Sequence, residues 1–443
     1  MAAAVLAVSL YSCHDESSQA FFADDELPKI FMEWSNVMVV EATDILSFSP
    51  RVSPSDNANF SWSINGREIS TSLELNYEFF EDDDFVLRFD VERNGIRTHR
   101  TANVMIRRDF DPQPYVKRSV AFINAETALL EDIQWRQITH LVLAGAATVD
   151  SVGDVTLRGF NRSDFDIDLL VRVAHNFSVF VLLDVATHHN DTTGFTSYGI
   201  HTFEYVVQDA GRRNRVISQT MAAVHQYGFD GVNIYFDRQT NDTGWAEVAS
   251  VRAFFEEFAA AVPVDNLTHE GHPFFLTTSI LQTWTNNAYA GFLLPKIDRI
   301  DWYHVYAFGA EDLNGAPHSS PWFFGDATQT WVNRGLPANR MVPVAAAFGV
   351  QYEFRGQTAT WPTLHEFIEW MPFRTILRNH PTAYTVNMLP IADGLFFDGF
   401  PAIDEKAAAV VNNGWAGMGL WKVCFDVTDE RSLLRRMNLQ LGN

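Results

Sequence analysis

Tyr227-Gly228-Phe229-Asp230-Gly231-Val232-Asn233-Ile234-Tyr235-Phe236-Asp237 is the stretch on which the reading turns. A strand sends alternate side chains to opposite faces, so Asn233, Tyr235 and Asp237 share one face and Val232, Ile234 and Phe236 the other. An apolar outer row with a polar inner row suits a strand covered by helices outside and lining a site inside. Runs of similar texture lie on both sides: Arg118–Ile123, His140–Ala144 and Phe180–Leu183 before it, then Phe274–Thr278, Asp301–Phe308, Met341–Phe348 and Gly417–Trp421 after it. They read as buried parallel strands. Helical patterns such as Ser250–Ala261 separate several of them. Eight strands alternating with helices predict an α/β fold, a (β/α)8 TIM barrel with loop insertions. A doubly wound sheet is the alternative, but no glycine-rich phosphate loop follows the first strand.

Upstream the texture changes. Asn59-Phe60-Ser61-Trp62-Ser63-Ile64 alternates and then meets Asn65-Gly66, and Phe85–Val91 alternates towards Asn94-Gly95. Asn-Gly between alternating runs signals a tight hairpin. Residues 27–110 are therefore expected to form a small all-β immunoglobulin-like or PKD-like sandwich with Trp62 in its core. Asp109–Pro114 reads as the linker, with the barrel over 114–443. Residues 1–26 read as leader and tether. Met1–Ser12 has the apolar character of a signal-peptide core, and Leu10-Tyr11-Ser12-Cys13 resembles a bacterial lipobox in which Cys13 would carry the lipid, with Asp15 and Glu16 close behind. The expected location is the outer-membrane surface or periplasm of a Gram-negative bacterium, with membrane attachment only through that lipid.

Composition narrows the function. Of 443 residues 47% are hydrophobic and 14% aromatic, enough for sizeable cores. A net charge of -23 repels phosphate backbones and argues against nucleic acid as a partner. Two cysteines, Cys13 and Cys424, cannot build a disulfide framework or a cysteine zinc site. His188, His189, Asp191 and His201 match no specific metal spacing, so no metal or other cofactor is expected.

The Tyr227–Asp237 stretch resembles the fourth strand of glycoside hydrolase family 18, the chitinases and endo-β-N-acetylglucosaminidases, which reads F-D-G-x-D-x-D-x-E. Gly315–Pro321 resembles the family's loop after strand six, Trp331–Arg340 its approach to strand seven, and Gly417–Trp421 its eighth strand, with a Trp at the site floor. The resemblance implies an N-acetylglucosamine (GlcNAc)-containing oligosaccharide or glycan as partner, with other glycan-uptake proteins as further company. It also exposes departures. Asp237 stands where the family has its general-acid Glu, Tyr235 where an Asp orients the substrate's acetamido group, and Asn233 where a further Asp stands. Asp184-Val185-Ala186-Thr187 replaces S-x-G-G at the end of strand three, and Phe308 replaces a Tyr that bonds the acetamido oxygen. The family mechanism is substrate-assisted, outside the usual two-carboxylate scheme.

These losses fall on one transition state, and together they predict lost or strongly impaired hydrolysis. The expected role is glycan recognition at the cell surface, with Trp421, Phe308, Tyr306, Trp302, Trp284 and Phe122 as ring contacts to sugar. One alternative is an active endo-β-N-acetylglucosaminidase-like hydrolase using Asp237, with Asp184 as a second carboxyl across the mouth; the residue type and place of Asp184 fit a capping or loop-anchoring role better. The other is a scaffold or inhibitor that binds protein, and inward aromatics that simply fill the barrel would fit it.

Overall fold

The computed structural model describes residues 27–443 except 33, 43, 79–82, 113, 163–164, 188–205, 236–247, 263–271, 273, 282–297, 310–316, 357–363 and 392–393. Cys13, Asp237, Trp284 and the histidines at 188, 189 and 201 lie outside the described residues. The chain divides into two compact units at Arg107/Arg108.

In the N-terminal unit, strands Val37–Val40, Ile96–Ile106, Phe85–Arg93, Ala58–Ile64 and Arg67–Ser70 form one sheet in that order. Ile45–Phe48 pairs separately with Leu75–Glu78, and Lys29–Phe31 with Arg51–Ser53. Both Asn-Gly pairs turn as expected, with positive φ at Asn65, Gly66, Asn94 and Gly95. Trp62 is fully buried between Phe89 and Phe48, with ring centroids 4.4 and 5.6 Å away, and its indole N–H donates to the Ser72 carbonyl at 3.1 Å. A buried indole needs that partner.

In the second unit eight parallel strands close on themselves: β1 (Arg118–Ile123), β2 (His140–Val149), β3 (Phe180–Thr187), β4 (Gly231–Tyr235), β5 (Phe275–Leu281), β6 (Trp302–Tyr306), β7 (Met341–Ala346) and β8 (Gly417–Trp421). β1 pairs with both β2 and β8, which completes the barrel. Two features seat β4. Asp230, fully buried, accepts from the Val181 N–H at 2.7 Å and contacts His175 Nε2 at 2.9 Å, tying the strand's start to β3 and to the helix Ile167–Asn176. At Gly231 a Cβ would stand 2.3 Å from the Phe275 carbonyl oxygen, so no larger residue fits between β4 and β5. Phe110, in the expected linker, packs on His175 and Phe180 at 4.7 and 5.1 Å.

Between β7 and β8 the chain builds a four-stranded antiparallel sheet from Phe348–Gly356, Leu364–Pro372, Met388–Leu389 and Leu395–Phe396, where sequence patterning predicts only a loop insertion. A buried polar cluster joins its end to the barrel. Lys406 Nζ, on the helix Phe400–Asn412, lies 2.5 Å from Asp398 Oδ2 and 2.7 Å from Ser319 Oγ, with all three residues essentially out of solvent.

Candidate functional site

A chain of buried polar groups crosses the barrel interior from β6 to β2. Trp302 Nε1–H donates to His304 Nε2 at 2.7 Å. An indole nitrogen can only donate, so Nε2 of His304 is the acceptor and Nδ1 carries the proton. That Nδ1 lies 3.0 Å from Asn233 Oδ1, which also accepts from Thr277 Oγ1 at 2.7 Å. The Asn233 amide nitrogen then donates to Ser279 Oγ at 2.9 Å and to Asp184 Oδ1 at 2.5 Å. Asn233 thus uses both donors and both acceptor positions inside the barrel, which fixes its orientation. Burial pushes the His304 imidazole down to about 3, in keeping with its neutral role.

Asp184 ends this chain at the C-terminal side of the barrel. Its Oδ2 accepts from the Gly145 N–H at 2.7 Å. The β2–β3 ladder is irregular between Leu143 and Ala147, and Gly145 sits in that bulge at φ 64. A bulge re-aims backbone groups, and the left-handed conformation favours glycine. Burial, the largest influence, raises the Asp184 carboxyl to about 7 against these hydrogen bonds, which pull it down.

Above Asp184 opens a pocket of about 140 Å³. Phe122, Tyr235 and Trp421 supply its aromatic surface, and Asn124, Glu126, Arg158 and Lys422 its polar wall. The rings continue beyond it: Tyr235 to Tyr306 at 5.2 Å, Tyr306 to Trp421 at 5.0 Å, and Trp421 to Phe308 at 5.9 Å. From Phe308 they run to Phe348 at 5.9 Å and on to Trp370 of the inserted sheet at 4.6 Å. Trp370 is exposed. On the wall, Arg158 pairs with Glu126 at 3.3 Å, and Lys422 follows Trp421 in a left-handed conformation at φ 57.

A closed parallel barrel with its pocket at the strand C-termini is the usual site arrangement of this fold. A profile of glycosyl hydrolases family 18 matches residues 116–426, and one of a PKD-like domain matches residues 28–93. The chain belongs to glycosyl hydrolases family 18. Family-18 structures share its fold at low identity. The chitinase ChiB from the chitin utilization locus of Flavobacterium johnsoniae is 16% identical with a TM-score of 0.55, covering 73% of this chain and 93% of its own. The Class V chitinase of Nicotiana tobaccum, of which a mutant was solved in complex with NAG4, is 16% identical with a TM-score of 0.58, over 74% of this chain and 99% of its own. The chitinase-like agglutinin of Robinia pseudoacacia is 15% identical with a TM-score of 0.57, over 73% and 99%. No curated protein matches by sequence.

Placed on this family-18 barrel, the expected site residues separate. Asn233, Tyr235 and Asp184 come together: Asp184 pairs with Asn233 across the β3–β4 ladder, and Tyr235 sits two pairs further towards the mouth, opposite Ala186. Phe122, Tyr235 and Trp421 line the pocket, whereas Tyr306 at the end of β6 and Phe308 just beyond it back the pocket. The expectation that Trp302 contacts sugar at the mouth is corrected. It is fully buried at the opposite end of β6, against Arg118, His140 and Phe275, with the Arg118 guanidinium 4.5 Å from its ring and His140 and Phe275 at 5.0 and 5.2 Å. There it fills the barrel floor. Sequence reasoning missed Gly145, Glu126, Arg158 and Lys422. Only Lys422, the residue after Trp421, stood next to a motif that could have drawn attention to it.

Proposed function

We propose that this family-18 protein recognises GlcNAc-containing oligosaccharides and has lost, or nearly lost, the ability to hydrolyse them. The observation that carries the reading is the state of β4. Asn233 spends every hydrogen-bonding position on the barrel itself, and Tyr235 presents a ring to the pocket where the family pattern has an orienting carboxylate. Neither provides the carboxylate that substrate-assisted chemistry needs. Aromatic faces beside a polar wall suit a sugar, whose C–H face packs on rings while its edge bonds to polar groups. The likeness to chitinases, one solved with NAG4, supports GlcNAc as the unit, and the likeness to a chitinase-like agglutinin supports binding as the role.

The test is paired. Purified protein should retain GlcNAc oligomers on a glycan array yet turn them over at least about a thousandfold more slowly than an ordinary enzyme working at about 1–10³ s⁻¹. Turnover in the ordinary range, abolished by Asp237→Asn, would instead establish the hydrolase reading, which family membership and the carboxyl at that position favour. We further propose that Cys13 bears a lipid that holds the protein at the cell surface. Cys13→Ala should then move it from the membrane to the soluble fraction, and unchanged fractionation rejects the anchor.

A further inference from the structure

We propose that Asp184 is the specificity-determining hydrogen-bond acceptor of the pocket, receiving an O–H or N–H from a neutral saccharide unit that packs against Tyr235 and Trp421. The inference rests on the glycan reading and assigns the polar group that reads the ligand. The carboxyl is held from two sides, by the Gly145 N–H on Oδ2 at 2.7 Å and the Asn233 amide on Oδ1 at 2.5 Å. Each carboxylate oxygen keeps further acceptor capacity after one such bond. Asp184 lines the pocket while only 1% exposed, and the remaining capacity is what the proposal assigns to a ligand there. The holding groups are themselves fixed, Gly145 by the bulge and Asn233 by its three further partners. Such support is what an oriented recognition group requires.

Charge on the wall selects the ligand class. Glu126 is paired with Arg158 at 3.3 Å, and Asp184 is the other carboxyl that lines the pocket among the described residues. Arg158 balances Glu126 and Lys422 balances an ionised Asp184, so the described lining carries no net charge and suits a neutral ligand whose donor is a hydroxyl or an amide. The position is also telling within the family pattern. The carboxylate absent from β4 at Asn233 recurs one strand away, on its ladder partner, in the place of the first residue of S-x-G-G.

Proton linkage gives a readout that a merely structural role would not move. The charged and titratable groups facing Asp184 are Glu126 from the loop after β1, Arg158 from beyond β2, Tyr235 on β4, Lys422 after β8 and, through Asn233, His304 on β6. The ionised carboxyl is the stronger acceptor, and burial raises its pKa to about 7. Calorimetric titration of the full chain with GlcNAc trimer from about pH 8 to pH 5 should therefore show affinity falling with acidity, approaching about tenfold per pH unit. Asp184→Ser should bind about 10–100-fold more weakly at the alkaline end and lose that pH dependence. Wild-type affinity that is flat with pH, or a folded Asp184→Ser protein that binds as tightly as wild type, overturns the proposal while leaving glycan recognition standing. If the variant does not fold, the wild-type profile decides alone. No binding of the trimer by wild type at any pH overturns the glycan reading and this inference with it. Tighter binding of a glucosamine trimer than of the GlcNAc trimer overturns the assignment of a neutral donor.

Discussion

Asn233→Asp is the smallest change that separates a family-18 pattern from the solution this barrel has adopted. It exchanges the amide nitrogen for a carboxylate oxygen at a position 2.5 Å from Asp184 Oδ1. Two carboxylates that close cannot both ionise comfortably. Charges about 4 Å apart at an effective dielectric of about 20 repel by about 4 kcal/mol, and the alternative is to hold a shared proton well above its ordinary affinity. The other partners tolerate the change. Thr277 and His304 still donate to an oxygen, and the Ser279 hydroxyl can rotate from acceptor to donor. The whole loss therefore falls on the Asp184 contact. Urea unfolding should show a destabilisation of about 3 kcal/mol near pH 8 and less than about 1 kcal/mol near pH 5. The sign follows because the shared proton raises the folded pKa above the unfolded value. The native state then binds more protons, and stability falls as pH rises through the folded value. Adding Asp184→Ser removes the opposing carboxyl, so the double variant should recover most of the loss, with a coupling energy of about 2 kcal/mol or more. A single variant within about 0.5 kcal/mol of wild type near pH 8, or coupling below that size, would refute the argument.

Lys406→Met should cost about 3–5 kcal/mol by leaving Asp398 buried without its counter-charge, whereas Lys406→Met with Asp398→Leu should cost distinctly less; thermal unfolding of the three proteins checks this. His318 is buried, bonded through Nε2 to the Phe348 carbonyl at 3.2 Å and pushed down to about 3, chiefly by burial, so it takes up a proton mainly on unfolding. The stability it confers is present above its unfolded value near 6.5 and lost as pH falls towards 3. His318→Gln should therefore flatten the acid limb by up to one proton, about 1.4 kcal/mol per pH unit, in urea titrations between about pH 6 and pH 4. Tyr235→Ala should weaken binding of GlcNAc oligomers by about tenfold through loss of a pocket ring, and Tyr235→Asp alone should not restore hydrolysis; calorimetry and a turnover assay read the two, with tighter binding by the alanine variant marking Tyr235 as a plug.

Local chemistry is what the sequence by itself determined. The Asn-Gly pairs prescribe turns that only such residues adopt without strain, and both hairpins of the N-terminal unit form there. Eight apolar runs separated by helical patterns prescribe strands buried on both faces, and Gly417–Trp421 and Arg118–Ile123 fall at the residues expected. The resemblance to the family pattern marked the departures at Asn233, Tyr235, Asp184 and Phe308, and strand alternation put Asn233 and Tyr235 on one face. Depth was not legible. Trp302 and Tyr306 share a face, but four residues at about 3.3 Å each put them roughly 13 Å apart along the strand. One lies on the barrel floor and the other behind the pocket. Tertiary structure alone decided which groups meet across strands. The bulge at Gly145 turns a backbone N–H onto Asp184, ladder register sets Asp184 beside Asn233, and a fold-long separation in sequence brings Lys422 and Arg158 to one wall. Register and bulges depend on the fit of whole strands against one another, and no short stretch of residues carries that information.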